Sequence, residues 1–174
     1  MYNQLTNTRD TYLFVAIHRG PYLSIEPIEE ALLPSKVLYL ADGVSKSIRE
    51  SHGLPYLTLD AITRSWGSLE TFLSSGNIKA IVRGSSEEDD MFNVENLASA
   101  AATNVGLPVF VIEDYPGNYW KPLAHRVDGL FVEPQQDLDV HLVRGLDPEV
   151  VYPMGNPRYS KLLSVDVNQF RTGI

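Results

Sequence analysis

The chain contains no cysteine, so neither a disulfide nor a thiolate metal site can form. Its histidines, at 18, 52, 125 and 141, lack metal-ligand spacing, and no metal is expected. Positive charge is scarce: 14 lysines and arginines face 22 aspartates and glutamates, a net charge of −8. Phosphate-backbone recognition needs clustered Lys and Arg, so nucleic acid is not an expected partner. No apolar run approaches the roughly 20 residues of a membrane span. Residues 1–10 lack the basic start and apolar centre of a signal peptide, which makes the cytoplasm the default location. No glycine-rich phosphate fingerprint follows the first apolar run. His18-Arg19-Gly20 offers one glycine where a dinucleotide site wants three, and the P-loop pattern is missing. NAD and ATP lose their usual warrant, and no cofactor is expected. A Gly-x-Ser-x-Gly elbow is also lacking.

What is present is a 174-residue chain of ordinary globular composition, 44 % apolar and 21 % charged. That length suits one domain with a sizeable core. The stretch Val109 to Asn118 is the most informative. Four apolar residues, mostly β-branched, read as a strand buried on both faces, as in a parallel sheet. Glu113, Asp114, Tyr115, a Pro-Gly turn at Gly117 and Asn118 follow at once. Ligands of open α/β sheets sit beyond the carboxyl ends of the strands, so these residues stand where a site is expected.

The same alternation runs through the chain. Strands are predicted over 12–17, 36–40, 55–59, 78–82, 109–112, 129–132 and 150–153. Between them fall helices: one N-capped by Ser24 with Pro27 early in it, a short one at 45–51, one at 60–74, a long one at 87–104, a short piece at 120–125, and one at 137–143. Another begins at Tyr159. Strand-helix alternation implies right-handed crossovers. The expected fold is α/β: a doubly wound, mostly parallel, Rossmann-like sheet of about six or seven strands. Residues 1–10 form a polar lead-in, 11–163 one domain and 164–174 a tail. In the long helix Phe92, Leu97, Ala98, Ala101 and Ala102 place part of its surface toward the sheet.

Three turns carry candidate chemistry. His18 is placed to act as a general base, or is simply a loop residue making local hydrogen bonds. Arg83-Gly84-Ser85-Ser86 can cradle an anion at a helix N-terminus. The plainer reading is capping by Ser85 or Ser86, and the four carboxylates Glu87, Glu88, Asp89 and Asp90 would repel an anion. Glu113 and Asp114 are adjacent, so on an extended chain they point apart and do not form an obvious catalytic pair. One can accept from a sugar hydroxyl while the other caps the next turn. Trp66 and Trp120 can stack on a ligand or pack in the core. The site expected from these turns is a crevice bordered by His18-Arg19-Gly20, Arg83 to Ser86 and Glu113 to Asn118. Arg19 and Arg83 supply positive charge there, unless Arg83 pairs with Glu113 or Asp114.

Two segments resemble a known family. Pro-Gly-Asn-Tyr-Trp-Lys-Pro-Leu-Ala-His-Arg-Val-Asp-Gly-Leu-Phe-Val (116–132) resembles the segment of two-domain GT-B glycosyltransferases in which a Pro-Gly turn leads to a helix and then a strand. Val-Tyr-Pro-Met-Gly-Asn-Pro-Arg-Tyr-Ser-Lys-Leu-Leu (151–163) is similar to the strand, Gly-Asn-Pro and helix that close the N-terminal domain of those enzymes. UDP-N-acetylglucosamine 2-epimerases and surface-carbohydrate biosynthesis proteins share the architecture. Phe170-Arg171-Thr172-Gly173-Ile174 resembles the lead into their second domain. The resemblance implies an acceptor-binding half of a glycosyltransferase-like or sugar-epimerase-like enzyme, with a sugar or nucleotide-sugar-related ligand and His18 in the position of a base. It also implies that turnover needs a second domain, supplied by a longer chain or by a partner; a homo-oligomer is the other expected assembly. Two other readings remain: a non-catalytic binding or assembly module, and a small standalone hydrolase or nucleotide-binding protein of doubly wound fold.

Overall fold

The computed structural model describes residues 11–32, 37–75, 77–86, 92–119, 126–133 and 135–159. The expected lead-in at 1–10, the carboxylates at 87–90, the helical piece at 120–125 and the tail at 164–174 lie outside the described residues. Six parallel strands form one sheet: β1 (Thr11–Ala16), β2 (Val37–Ala41), β3 (Ile78–Gly84), β4 (Val109–Ile112), β5 (Gly129–Val132) and β6 (Val151–Pro153). Their order is β2-β1-β3-β4-β5-β6, with every pairing parallel. The expected doubly wound sheet is therefore present, with 12–17, 78–82 and 109–112 represented by inner strands.

The strand expected at 55–59 is reduced to a single bridge, Leu57 against Leu40. Pro55 has no N–H to donate, and at a sheet edge two backbone bonds suffice to tether the segment: Leu57 N–H to Tyr39 O and Ala41 N–H to Leu57 O. Counting that bridge as the third strand, the order is 3-2-1-4-5-6-7, the 3-2-1-4-5-6 pattern of dinucleotide-type folds with one strand added at the far edge. The chain reverses direction across the sheet between β1 and β3, which places the topological switch point at the ends of those two strands.

The helices are α1 (Arg19–Ala31), α2 (Gly43–Ser51), α3 (Leu59–Trp66), α4 (Leu69–Ser75), α5 (Val94–Val105) and α6 (Gln135–Val143). Strand periodicity sorts the core into two layers. Leu13, Val15, Ile81 and Val111 face α3, α4 and α5. Phe14, Ala16, Val82 and Ile112 face the α1 side. Ala98, Ala101 and Ala102 are buried and let α5 lie close to the sheet, as their spacing suggests. Phe92 does not share that face; it precedes the helix and is 78 % exposed.

Three local expectations are corrected. Ser24 is not an N-cap: α1 starts at Arg19, and Ser24 sits inside it with its hydroxyl donating to Gly20 O at 3.1 Å. Pro27 is accordingly interior. The helix expected over 60–74 is two helices. Thr58 caps α3 by accepting from Ala61 N–H, and Gly67 at φ +80° ends it. Neither Ser85 nor Ser86 caps α5; Asn93 does, accepting from Asn96 N–H at 2.8 Å.

Tyr22 and Tyr39 on the α1 side are buried against each other, and the Arg49 guanidinium lies over the Tyr39 ring. Burial, with Glu26 adding to it, pushes Tyr22 up to about 12; burial likewise raises Tyr39 well above its ordinary value. Between pH 10 and 12 the unfolded chain releases protons that the folded chain keeps, so stability falls as pH rises through that window. Ultraviolet difference titration should resolve a late-ionising class among the nine tyrosines. A single class titrating near the ordinary value of about 10 would contradict this packing.

Candidate functional site

Period-2 alternation decides which way each charged group at the strand ends points. Arg83 follows Ile81 on one face, so its guanidinium enters the layer beneath α5. It is 2 % exposed. Nε donates to Gly84 O at 2.8 Å, Nη1 to Asn96 Oδ1 at 2.8 Å and Ser99 Oγ at 3.3 Å, and Nη2 to Glu95 Oε2 at 3.4 Å. Arg83 thus forms an internal pair, but with Glu95 rather than with Glu113 or Asp114.

Glu113 and Asp114 point to opposite faces, as an extended backbone requires. Glu113 is buried on the α5 and α6 side. Its Oε1 accepts from Tyr119 N–H at 2.7 Å, and His141 Nε2 lies 3.0 and 3.1 Å from its two oxygens. Asp114 faces α1. Its Oδ1 accepts from Asn118 Nδ2 at 2.7 Å and from Ser85 Oγ at 3.1 Å. Its Oδ2 lies against the first turn of α1: a Cβ on Gly20 would come within 2.1 Å of that oxygen. A Cβ on Gly84 would sit 2.1 Å from Pro21 Cβ and 2.9 Å from Pro21 Cα. Both glycines are therefore required by close approach of α1 to the ends of β3 and β4.

Asn156, after β6, ties the edge together. Its Nδ2 donates to Glu113 O and Ser24 Oγ, each at 3.0 Å. Around this buried floor stands an exposed rim of His18, Arg19 and Tyr115. The sheet thus brings His18, Arg19, Gly20, Gly84, Ser85, Ser86, Asp114 and Asn118 to one edge. Arg83 and Glu113 are at the same edge, sealed in structural bonds. Gly117 takes φ +70° in the turn that returns Asn118 to Ser85.

Glu95, Asn156 and His141 were not among the expected site residues. Asn156 carried a signal in its Gly-Asn-Pro context; Glu95 and His141 are single polar residues within helices and carried none. An apolar groove of about 640 Å³ adjoins this edge on the α1 side, lined by Ile28, Val82, Phe131, Met154, Tyr159 and Asn156 of the buried floor. None of the described residues that line it is charged, so the polar edge is the better candidate site for a polar ligand. Among the described residues no cluster of three or more metal-ligating side chains occurs, and no helix is long and apolar enough to cross a membrane.

No protein-family model matches the chain, and no curated protein matches its sequence. Solved structures do match in fold. UDP-GlcNAc 2-epimerase from Neisseria meningitidis, bound to UDP-GlcNAc, matches with TM-score 0.59 and 15 % identity over 94 % of this chain and 51 % of that one. The UDP-N-acetylglucosamine 2-epimerase of Rickettsia bellii matches with TM-score 0.56 and 13 % identity over 95 % of this chain and 52 % of that one. HepE from Anabaena, in complex with UDP and glucose, matches with TM-score 0.54 and 11 % identity over 84 % of this chain and 44 % of that one. At such identities the likeness is one of fold, and this chain spans about half the length of those structures. What is shared is the parallel, doubly wound α/β sheet.

Proposed function

We propose that this chain is the acceptor-side half of a GT-B-like sugar enzyme. In this reading it binds a sugar or nucleotide-sugar-related ligand at the β1, β3 and β4 edge. The observation that carries it is the convergence of Ser85, Asp114 and Asn118 at the carboxyl ends of β3 and β4, beside the switch point of a sheet whose structural neighbours were solved with UDP and glucose or with UDP-GlcNAc. Asp114 Oδ2 accepts from ligand hydroxyls, Tyr115 offers a stacking face, Arg19 meets a negative group at the rim, and His18 stands where a base would act. A second half, on a longer chain or on a partner, supplies the donor site. Because Arg83 and Glu113 are committed to internal bonds, a purely ligand-binding module is the competing reading.

Titration with UDP-GlcNAc and UDP-glucose, followed by amide NMR, tests the proposal. Shifts are expected at 18–20, 84–86 and 113–118, and Arg19→Ala should weaken binding about tenfold, the worth of one charge-assisted hydrogen bond. The chain by itself should show no turnover of either sugar nucleotide. Shifts confined to the opposite end of the strands, or turnover by this chain alone, would contradict the assignment.

A further inference from the structure

The switch point of a doubly wound sheet ordinarily offers backbone N–H groups to a ligand's phosphate. Here two of those donors, the amides just past β1 and β3, are already engaged. Glu95 is 0 % exposed. Its Oε1 accepts from Ile17 N–H at 3.1 Å, just past the end of β1. Its Oε2 accepts from Ser86 N–H at 3.0 Å, just past the end of β3, and from Arg83 Nη2 at 3.4 Å. Two amides from the strands flanking the switch point and one guanidinium therefore converge on a single carboxylate. That is the donor set of an oxyanion site. Beside it stands a second carboxylate, Asp114, whose Oδ2 lies against the first turn of α1 where only glycine fits at position 20.

We infer that Glu95 is a built-in anion occupying the oxyanion position between β1 and β3, so the part of a ligand that enters this crevice is an uncharged, hydroxyl-bearing sugar and not a phosphate. This rests on the reading of the edge as a sugar site. The reasoning is electrostatic and steric. A phosphate placed between β1 and β3 would need the Ile17 and Ser86 amides that Glu95 holds, and it would approach the Glu95 and Asp114 carboxylates in surroundings of low dielectric, where like charges repel strongly. A hydroxyl needs only an acceptor, and no described residue donates to Asp114 Oδ2. Any charged group of the ligand then lies outward, at Arg19. Glu95 is a specificity-determining residue that acts by occupancy, without touching the ligand.

Two measurements test this. In the wild-type chain, titration with inorganic phosphate should leave the Ile17 and Ser86 amide resonances unmoved; saturable shifts there would overturn the inference. In Glu95→Ala the oxyanion position is vacated while Arg83 and both amides remain. This variant should melt several degrees below wild type. Formate or phosphate, but not chloride at equal ionic strength, should restore at least half of that loss. A folded Glu95→Ala protein that gains no more from formate than wild type does would also overturn it. If the variant folds in neither salt, the wild-type phosphate titration decides. UDP-GlcNAc in the same spectra keeps the two readings apart. Absent shifts at 18–20 and 113–118 would sink the sugar site, while the phosphate and formate results still decide what Glu95 does.

Discussion

Replacing His141 with alanine is expected to destabilise the chain by about 3–5 kcal/mol, the cost of breaking a buried pair. For a domain of this size that is a fall in melting temperature of roughly 6–20 °C. His141 in α6 is 0 % exposed, and Glu113 at the end of β4 is 1 % exposed. The imidazole Nε2–H is shared between both carboxylate oxygens, which assigns the proton to that nitrogen. Removing the ring leaves the carboxylate buried with the Tyr119 amide as its remaining described donor. His141→Gln keeps an N–H donor and should recover part of the loss. Thermal unfolding of both variants checks this. A loss under about 1 kcal/mol in His141→Ala would mean that Glu113 is satisfied in some other way.

Arg83→Ala should cost a similar amount, about 3–5 kcal/mol, and should do so with or without ligand. The guanidinium holds four acceptors on two elements, and its loss leaves Glu95 buried without its cation. Arg83→Lys should recover little, because one ammonium cannot reproduce the planar fork that reaches Gly84, Asn96, Ser99 and Glu95 together. Chemical denaturation read by circular dichroism gives the comparison. Unchanged stability with weakened binding of UDP-sugars would return Arg83 to the role of ligand contact.

These two pairs mark the boundary of what the sequence made legible. The strand runs were readable because residues buried on both faces leave continuous apolar stretches, and each ends in a polar turn. The opposed directions of Glu113 and Asp114 followed from backbone periodicity alone. The partners did not. Arg83 shares a face with Ile81, which directs it toward a helix layer, but no local pattern says that Glu95 will be the residue waiting there. His141 lies 28 positions from Glu113, and nothing in its own helix announces the contact.

Local signals also lost to packing in one instructive case. Ser24 followed by Pro27 reads as a helix start, yet α1 begins at Arg19. The missing side chains of Gly20 and Gly84 let the first turn of α1 press against Asp114 and the backbone of β3. That burial outweighs the weak local preference for a cap at Ser24 and an early Pro27. The amino-acid sequence by itself determined the doubly wound parallel architecture and the edge at which polar residues collect, because both follow from short-range periodicity and hydrophobicity. Only the tertiary structure decided which charges are sealed and which stay open to a ligand. That choice depends on side chains brought together from distant elements, where each buried charge must find its partner.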